Sequence, residues 1–172
     1  MERIIGMAFD KYPQEYKDYV KEEGRIINEI LSNEKGIKLL DVGCGSNMHI
    51  SNIVKLPKEY VGIDLDDSLL YDAKDKIKES KTVRVLKLDV HKLSENFKKN
   101  NFDVSIALWN ALGCMGDEIH WLNEVAKVTK NKIILSLIEK GHIEIREKYY
   151  NDLNSTYLIM NDGKETIFSP IW

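Results

Sequence analysis

Only two cysteines, Cys44 and Cys114, occur in 172 residues. That is too few for a disulfide framework, and their spacing suits no metal. The four histidines, His49, His91, His120 and His142, form no HExxH or other paired pattern, so the sequence gives no ground for a metal site. Long apolar runs are missing too: nothing approaches the roughly 18 residues that a membrane-spanning helix needs. The stretch MERIIGMAFDKYPQEY has neither the apolar segment nor the small-residue cleavage site of a signal peptide. The expected location is therefore the cytoplasm, with no membrane partner. Positive charge is not in excess. The net charge is −3 and the pI about 5.9, which argues against a broad phosphate-backbone interface. Lys98, Lys99 and the stretch from Lys127 to Lys132 read as solvated surface.

What the chain does have is 43% hydrophobic and 31% charged residues, enough for one core and a soluble surface. No repeat or low-complexity linker interrupts it. Apolar periodicity alternates between helix-like and strand-like stretches, the pattern of stacked βα units on a mostly parallel sheet. Helices are expected at about 14–32, 48–56, 68–80, 93–99, 117–129 and 142–152. Asp67 or Ser68 is the plausible cap of the third. Strands are expected at 37–42, 60–64, 83–88, 102–108 and 132–137. A hairpin over 155–171 turns at Asn161-Asp162-Gly163. The whole reads as a single domain: a helical segment over 1–34, a core over 37–141, then a helix and hairpin over 142–172. Its class is α/β, a doubly wound sheet flanked by helices, whose ligands bind at the carboxyl ends of the strands.

Chemistry concentrates at those ends. Leu39-Leu40-Asp41-Val42-Gly43-Cys44-Gly45-Ser46-Asn47 is a buried strand entering a turn with glycine at alternate positions. Glycine lets backbone turn sharply and approach a ligand closely. Asp41 puts a carboxylate before that turn, which suits a cationic ligand and not a pyrophosphate. Asp64, 21 residues after Gly43, closes the second strand where an acid can accept from both ribose hydroxyls. Asp89 closes the third strand and can accept from the exocyclic amine of adenine. Phe102 to Asn110 is a buried strand running into a loop over the same crevice.

Together these stretches resemble the class I, Rossmann-like family of S-adenosylmethionine-dependent methyltransferases. LLDVGCGSN is similar to that family's first motif, and GID and LDV to its second- and third-strand acids. FDVSIALWNALGCMGD resembles the fourth strand and its loop, NKIILSLIEKG the fifth strand. The resemblance covers about Lys38 to Gly141. It implies S-adenosyl-L-methionine as cofactor, S-adenosyl-L-homocysteine as product, and methyl transfer as activity. It places Asp41, Gly43 and Gly45 at the methionine end, with Cys44 as a small turn residue between the glycines. Asp64 would take the ribose, Leu65 would lie against the adenine, and Asp89 and Val90 would meet its polar edge. Leu108, Trp109 and Asn110 would line the wall between cofactor and acceptor. No catalytic residue is named by the motifs; Tyr12 and Tyr16 are candidates for a lid over the site.

Two departures stand out. Asn47 replaces a third glycine of the family pattern. After the fifth strand, members usually continue through a helix into a long antiparallel pair. Either Tyr157–Met160 and Thr166–Ser169 supply that pair, or they are an insert and the sheet's last strands are missing; FSPIW favours the second. The absence of Asn-Pro-Pro-aromatic after the fourth strand, with the acidic balance, favours a small-molecule acceptor over nucleic acid. A non-catalytic or truncated cofactor-binding subunit acting with a partner is the alternative. A nicotinamide-dependent oxidoreductase fits less well, since Met48 stands where its phosphate loop needs glycine. The sequence does not fix the oligomeric state.

Overall fold

The structure is a computed structural model that describes residues 14–46, 49–50, 57–109, 111–137, 151, 158–161 and 165–168. It opens with helix α1 (Gln14–Leu31), whose apolar stripe buries Val20, Ile27 and Leu31, the last two packed with sheet residues. Strands β1 (Lys38–Val42) and β2 (Glu59–Asp64) follow, then helix α2 (Asp67–Ile77) and strand β3 (Val83–Lys87). A 3₁₀ turn at Val90–Lys92 leads into the short α3 (Leu93–Asn96), and β4 spans Phe102–Ala107. After it come α4 (Ala111–Cys114), α5 (Glu118–Val128) and β5 (Thr129–Leu135).

The five strands form one sheet in the order β3-β2-β1-β4-β5, and all their pairings are parallel. The order reverses between β1 and β4, so a crevice opens outside the carboxyl ends of those two strands. Strand alternation builds two cores. Leu39, Tyr60, Val104 and Ile106 face α1 with Ile27 and Leu31. Leu40, Val42, Val61 and Ile63 face the other way, toward Trp121, Val125 and Val128 of α5. Strands β6 (Leu158–Asn161) and β7 (Glu165–Phe168) make the expected antiparallel hairpin. It is a separate two-stranded sheet. Among the described residues no helix is long and apolar enough to cross a membrane.

The differences from the sequence reading have local causes. Asp66, not Asp67 or Ser68, caps α2, because its carboxylate accepts from the N–H of Ser68 at 2.8 Å and of Leu69 at 3.3 Å. Strand β5 begins at Thr129 because, at the edge of the sheet among the described residues, it tolerates Lys130, Asn131 and Lys132 in solvent. Helix α4 stands where the sequence predicts a loop, and the helix after β3 is shorter than 93–99 and preceded by the 3₁₀ turn. Most of the helices expected at 48–56 and 142–152 lies outside the described residues, as do Tyr12 and Asn47.

Candidate functional site

The glycine-rich turn leaves β1 with Gly43 at φ 72° and Gly45 at φ 51°, a backbone that side chains resist. The N–H groups of Gly43 and Cys44 donate to the Ile63 carbonyl at 2.9 and 3.0 Å. The Gly45 N–H donates to Asp64 Oδ2 at 2.9 Å. The turn is thus fastened to the tip of β2. Cys44 anchors it from beneath: its side chain is buried and fills the space above Gly62, where a Cβ would come within 2.7 Å of Sγ. Burial pushes the Cys44 thiol far up, so it is no nucleophile. Only its main chain belongs to the crevice.

The three acids stand at the ends of β1, β2 and the segment after β3. Asp64 Oδ1 accepts from the Asp66 N–H at 2.9 Å, so both of its oxygens are already oriented. Beside it Leu65 is 60% exposed, an apolar side chain at a strand tip with nothing over it among the described residues. The Leu88 N–H donates to the Asp64 carbonyl at 3.1 Å, which joins the end of β3 to that of β2. Asp41 lies deeper, 1% exposed, and accepts a hydrogen bond from the Tyr60 hydroxyl. Burial pushes its carboxyl up to about 7; the charges of Asp64 and Glu23 add to this, while the Tyr60 bond opposes it. A cation settling nearby would drive off that proton, so this acid responds to the sign of what binds.

Asp89 caps the 3₁₀ turn. Its Oδ1 accepts from the His91 N–H at 3.0 Å and pairs with His91 Nδ1 at 2.9 Å. The backbone bond and then the imidazole hold the carboxyl below its usual range. Both contacts use Oδ1; among the described residues Oδ2 has no partner. The Val90 side chain is buried with Leu93 and Phe102. Its expected place at an adenine edge narrows to its backbone.

On the β4 side the wall differs from expectation. Leu108 is only 4% exposed and packs in the core with Ile27 and Leu31, because strand alternation turns it toward α1. It does not line the crevice with its side chain. Trp109 sits at φ 55°, its N–H donating to Glu23 Oε1 at 3.2 Å and its ring edge-on to Tyr19 at 5.2 Å. Asn110 lies outside the described residues.

Sequence reasoning passed over a polar group behind Trp109. The Tyr19 and Ser136 hydroxyls are 2.8 Å apart. Glu23 Oε2 and His49 Nδ1 are 3.7 Å apart, both buried, and neither finds a hydrogen bond among the described residues. Burial pushes the Glu23 carboxyl up, against the hydrogen bonds that hold it down, and His49 down to about 4, so the imidazole rests neutral near pH 7. The available signal was Glu23 itself, the one acid on an apolar helix stripe. A separate basic groove, lined by Lys38, Lys58, Lys81 and Arg84 with Glu59, lies at the amino ends of β1–β3. That is the wrong end of a parallel sheet for the ligand described above.

A family model described as "Methyltransferase domain" matches residues 33–165. No curated protein matches significantly. Among solved structures, a protein from Pyrococcus horikoshii OT3 is 20% identical with a TM-score of 0.68, covering 95% of this chain and 80% of that one. The trans-methyltransferase CalH, solved in complex with SAH, is 19% identical with a TM-score of 0.63, covering 80% of this chain. The [4+2]-cyclase SpnF is 24% identical with a TM-score of 0.57, covering 64% of this chain. This chain spans 41% of the length of each of the last two. These likenesses concern the fold, and the fold by itself hosts different chemistries. With the sheet order, the glycine turn and the family match in agreement, the chain belongs to the methyltransferase domain family, with the Rossmann-like fold of the S-adenosylmethionine-dependent methyltransferases.

Proposed function

We propose that this domain binds S-adenosylmethionine across the carboxyl ends of β1–β3 and delivers its methyl group to a small-molecule acceptor. One observation carries the reading: Asp64 is held by Gly45 and Asp66 N–H groups right beside an apolar residue, Leu65, left in solvent. That juxtaposition suits a nucleoside, which offers hydroxyls to an acid and a flat apolar ring to its neighbour. Asp89 Oδ2 supplies an acceptor for a ring amine, and Asp41, poised near neutrality, favours a ligand with positive charge at the far end. The residues therefore fit the cofactor. When bound, that cofactor supplies an electrophilic methyl group on a sulfonium. The protein's part is to orient the partners and keep water out, which provides much of the rate in such a displacement. A small acceptor agrees with the net charge of −3 and with the missing Asn-Pro-Pro-aromatic sequence after β4.

The test begins with calorimetry using S-adenosylhomocysteine. Leu65 is mostly exposed, so Leu65→Ala leaves the fold alone. It removes an apolar contact of about 1.5 kcal/mol and should weaken binding about tenfold. Asp64→Ala should weaken it further. NAD should show no heat. Unchanged affinity in Leu65→Ala and Asp64→Ala together would remove the nucleoside from this place. A tritiated-methyl assay over small acceptors then identifies the second substrate; transfer only to nucleic acid or protein would overturn the small-molecule reading.

A further inference from the structure

We propose that His91, Asp117 and His120 form a binding site for a divalent transition-metal ion of the zinc class. The two histidines are 29 positions apart, and the fold brings them together: His91 lies in the 3₁₀ turn after β3, while Asp117 and His120 open α5. One ligand atom from each of the three lies within 4.8 Å of the other two. The imidazole rings meet edge to face at 5.1 Å. His120 Nδ1 is 3.6 Å from Asp117 Oδ2, close to the roughly 3.4 Å that separates tetrahedral donors on bonds of about 2.0–2.1 Å. His120 and Asp117 are well exposed, so their rotamers can close the remaining gap without moving backbone.

Each ligand is also prepared for the task. Asp117 uses Oδ1 to cap α5, at 3.4 Å from the His120 N–H, which leaves Oδ2 for an ion. Its backbone is held at φ 44°, fixing the direction of the carboxylate. His91 gives Nδ1 to Asp89, the carboxylate–imidazole pairing that orients metal-binding histidines and settles which nitrogen faces the ion. Its Nε2 lies 3.3 Å from the Gly116 carbonyl, on the same side as Asp117. Two imidazoles and a carboxylate select zinc, cobalt or nickel over magnesium or calcium, which prefer all-oxygen sites. Three protein ligands leave a fourth position for water or a small anion. The ion would clamp the start of α5 onto the turn that follows β3.

The rival account is a hydrogen-bond network in which His91 Nε2 simply donates to Gly116. Calorimetry on the full chain, stripped with chelator and titrated with Zn²⁺ alone, separates the two. One equivalent should bind, and Co²⁺ should give a visible absorption band of tetrahedral intensity. His120→Ala, at an exposed position, should fold normally, weaken Zn²⁺ at least tenfold and abolish the Co²⁺ band. His91→Ala should do the same, while His142→Ala should bind as the parent does. Absence of Zn²⁺ binding, or equal affinity in His120→Ala and the parent, would overturn the proposal.

Discussion

Gly62→Ala is the sharpest test of how the glycine turn is supported. A Cβ at that position of β2 would lie 2.7 Å from Cys44 Sγ, 2.9 Å from Cys44 Cβ and 3.2 Å from Val85 Cγ1. The second contact decides the magnitude. A thiol can rotate away, but Cβ moves only with the backbone, and the Cys44 N–H is tied to Ile63 at 3.0 Å. The upper half of the usual overpacking range therefore applies, about 2–3 kcal/mol. Cys44→Gly removes both of the closest contacts and leaves only Val85. In that background the same Gly62→Ala should cost under about 1 kcal/mol, a coupling of at least about 1 kcal/mol. Urea denaturation of the parent, the two single variants and the double variant measures it. Because the displaced turn carries Gly43 and Gly45, Gly62→Ala should also weaken S-adenosylhomocysteine, and the double variant should recover part of that affinity. Additive stability changes would refute the packing argument.

Two further expectations concern α5. Glu124 accepts from the Ser94 N–H at 2.8 Å and pairs with Lys127 at 2.5 Å. These bonds, Lys127 first, hold its carboxyl at about 2 against an ordinary 4.5. The stabilisation is present above pH 4.5 and is lost as pH falls toward 2. The gap corresponds to at most about 3 kcal/mol, and about 1–2 kcal/mol after allowing for the solvent-exposed lysine. Glu124→Gln should lower neutral-pH stability by that amount and flatten the acid limb of a stability–pH curve; an unchanged limb would rule the linkage out. Trp121 is fully buried, yet its Nε1 has no partner among the described residues. Trp121→Phe should cost less than about 1 kcal/mol and Trp121→Ala about 3–5 kcal/mol, by thermal denaturation. A large loss in the phenylalanine variant would mean that the indole N–H is satisfied.

The parts of this fold that were legible in sequence are those set by period and by glycine. β1, β2 and the turn at Gly43 and Gly45 could be read because a buried strand followed by alternate glycines has few other solutions. The acids Asp41, Asp64 and Asp89 were placed at strand ends by counting alone. What counting missed depends on tertiary contact. Leu108 looked like a crevice residue, and only the packing of α1 shows which way it turns. His91 and His120 follow no motif, since their approach comes from the 3₁₀ turn meeting α5. The apolar pattern starts β5 at Lys132 because Thr129, Lys130 and Asn131 are polar; that they are strand follows from the neighbour β4, which periodicity does not show. Glu23 stood out on its helix, but its partners, Trp109 and His49, come from two distant loops.

The placement of β5 carries a consequence for how copies of this molecule treat one another. Among the described residues it is the outermost strand of its sheet, with Lys130 and Lys132 exposed along it and Lys132 paired with Glu34 at 2.7 Å. Two such rims brought edge to edge would have to desolvate charged side chains before any ladder of backbone bonds could zip up. The polar residues that mask the strand from periodicity would thus weigh against pairing at this edge.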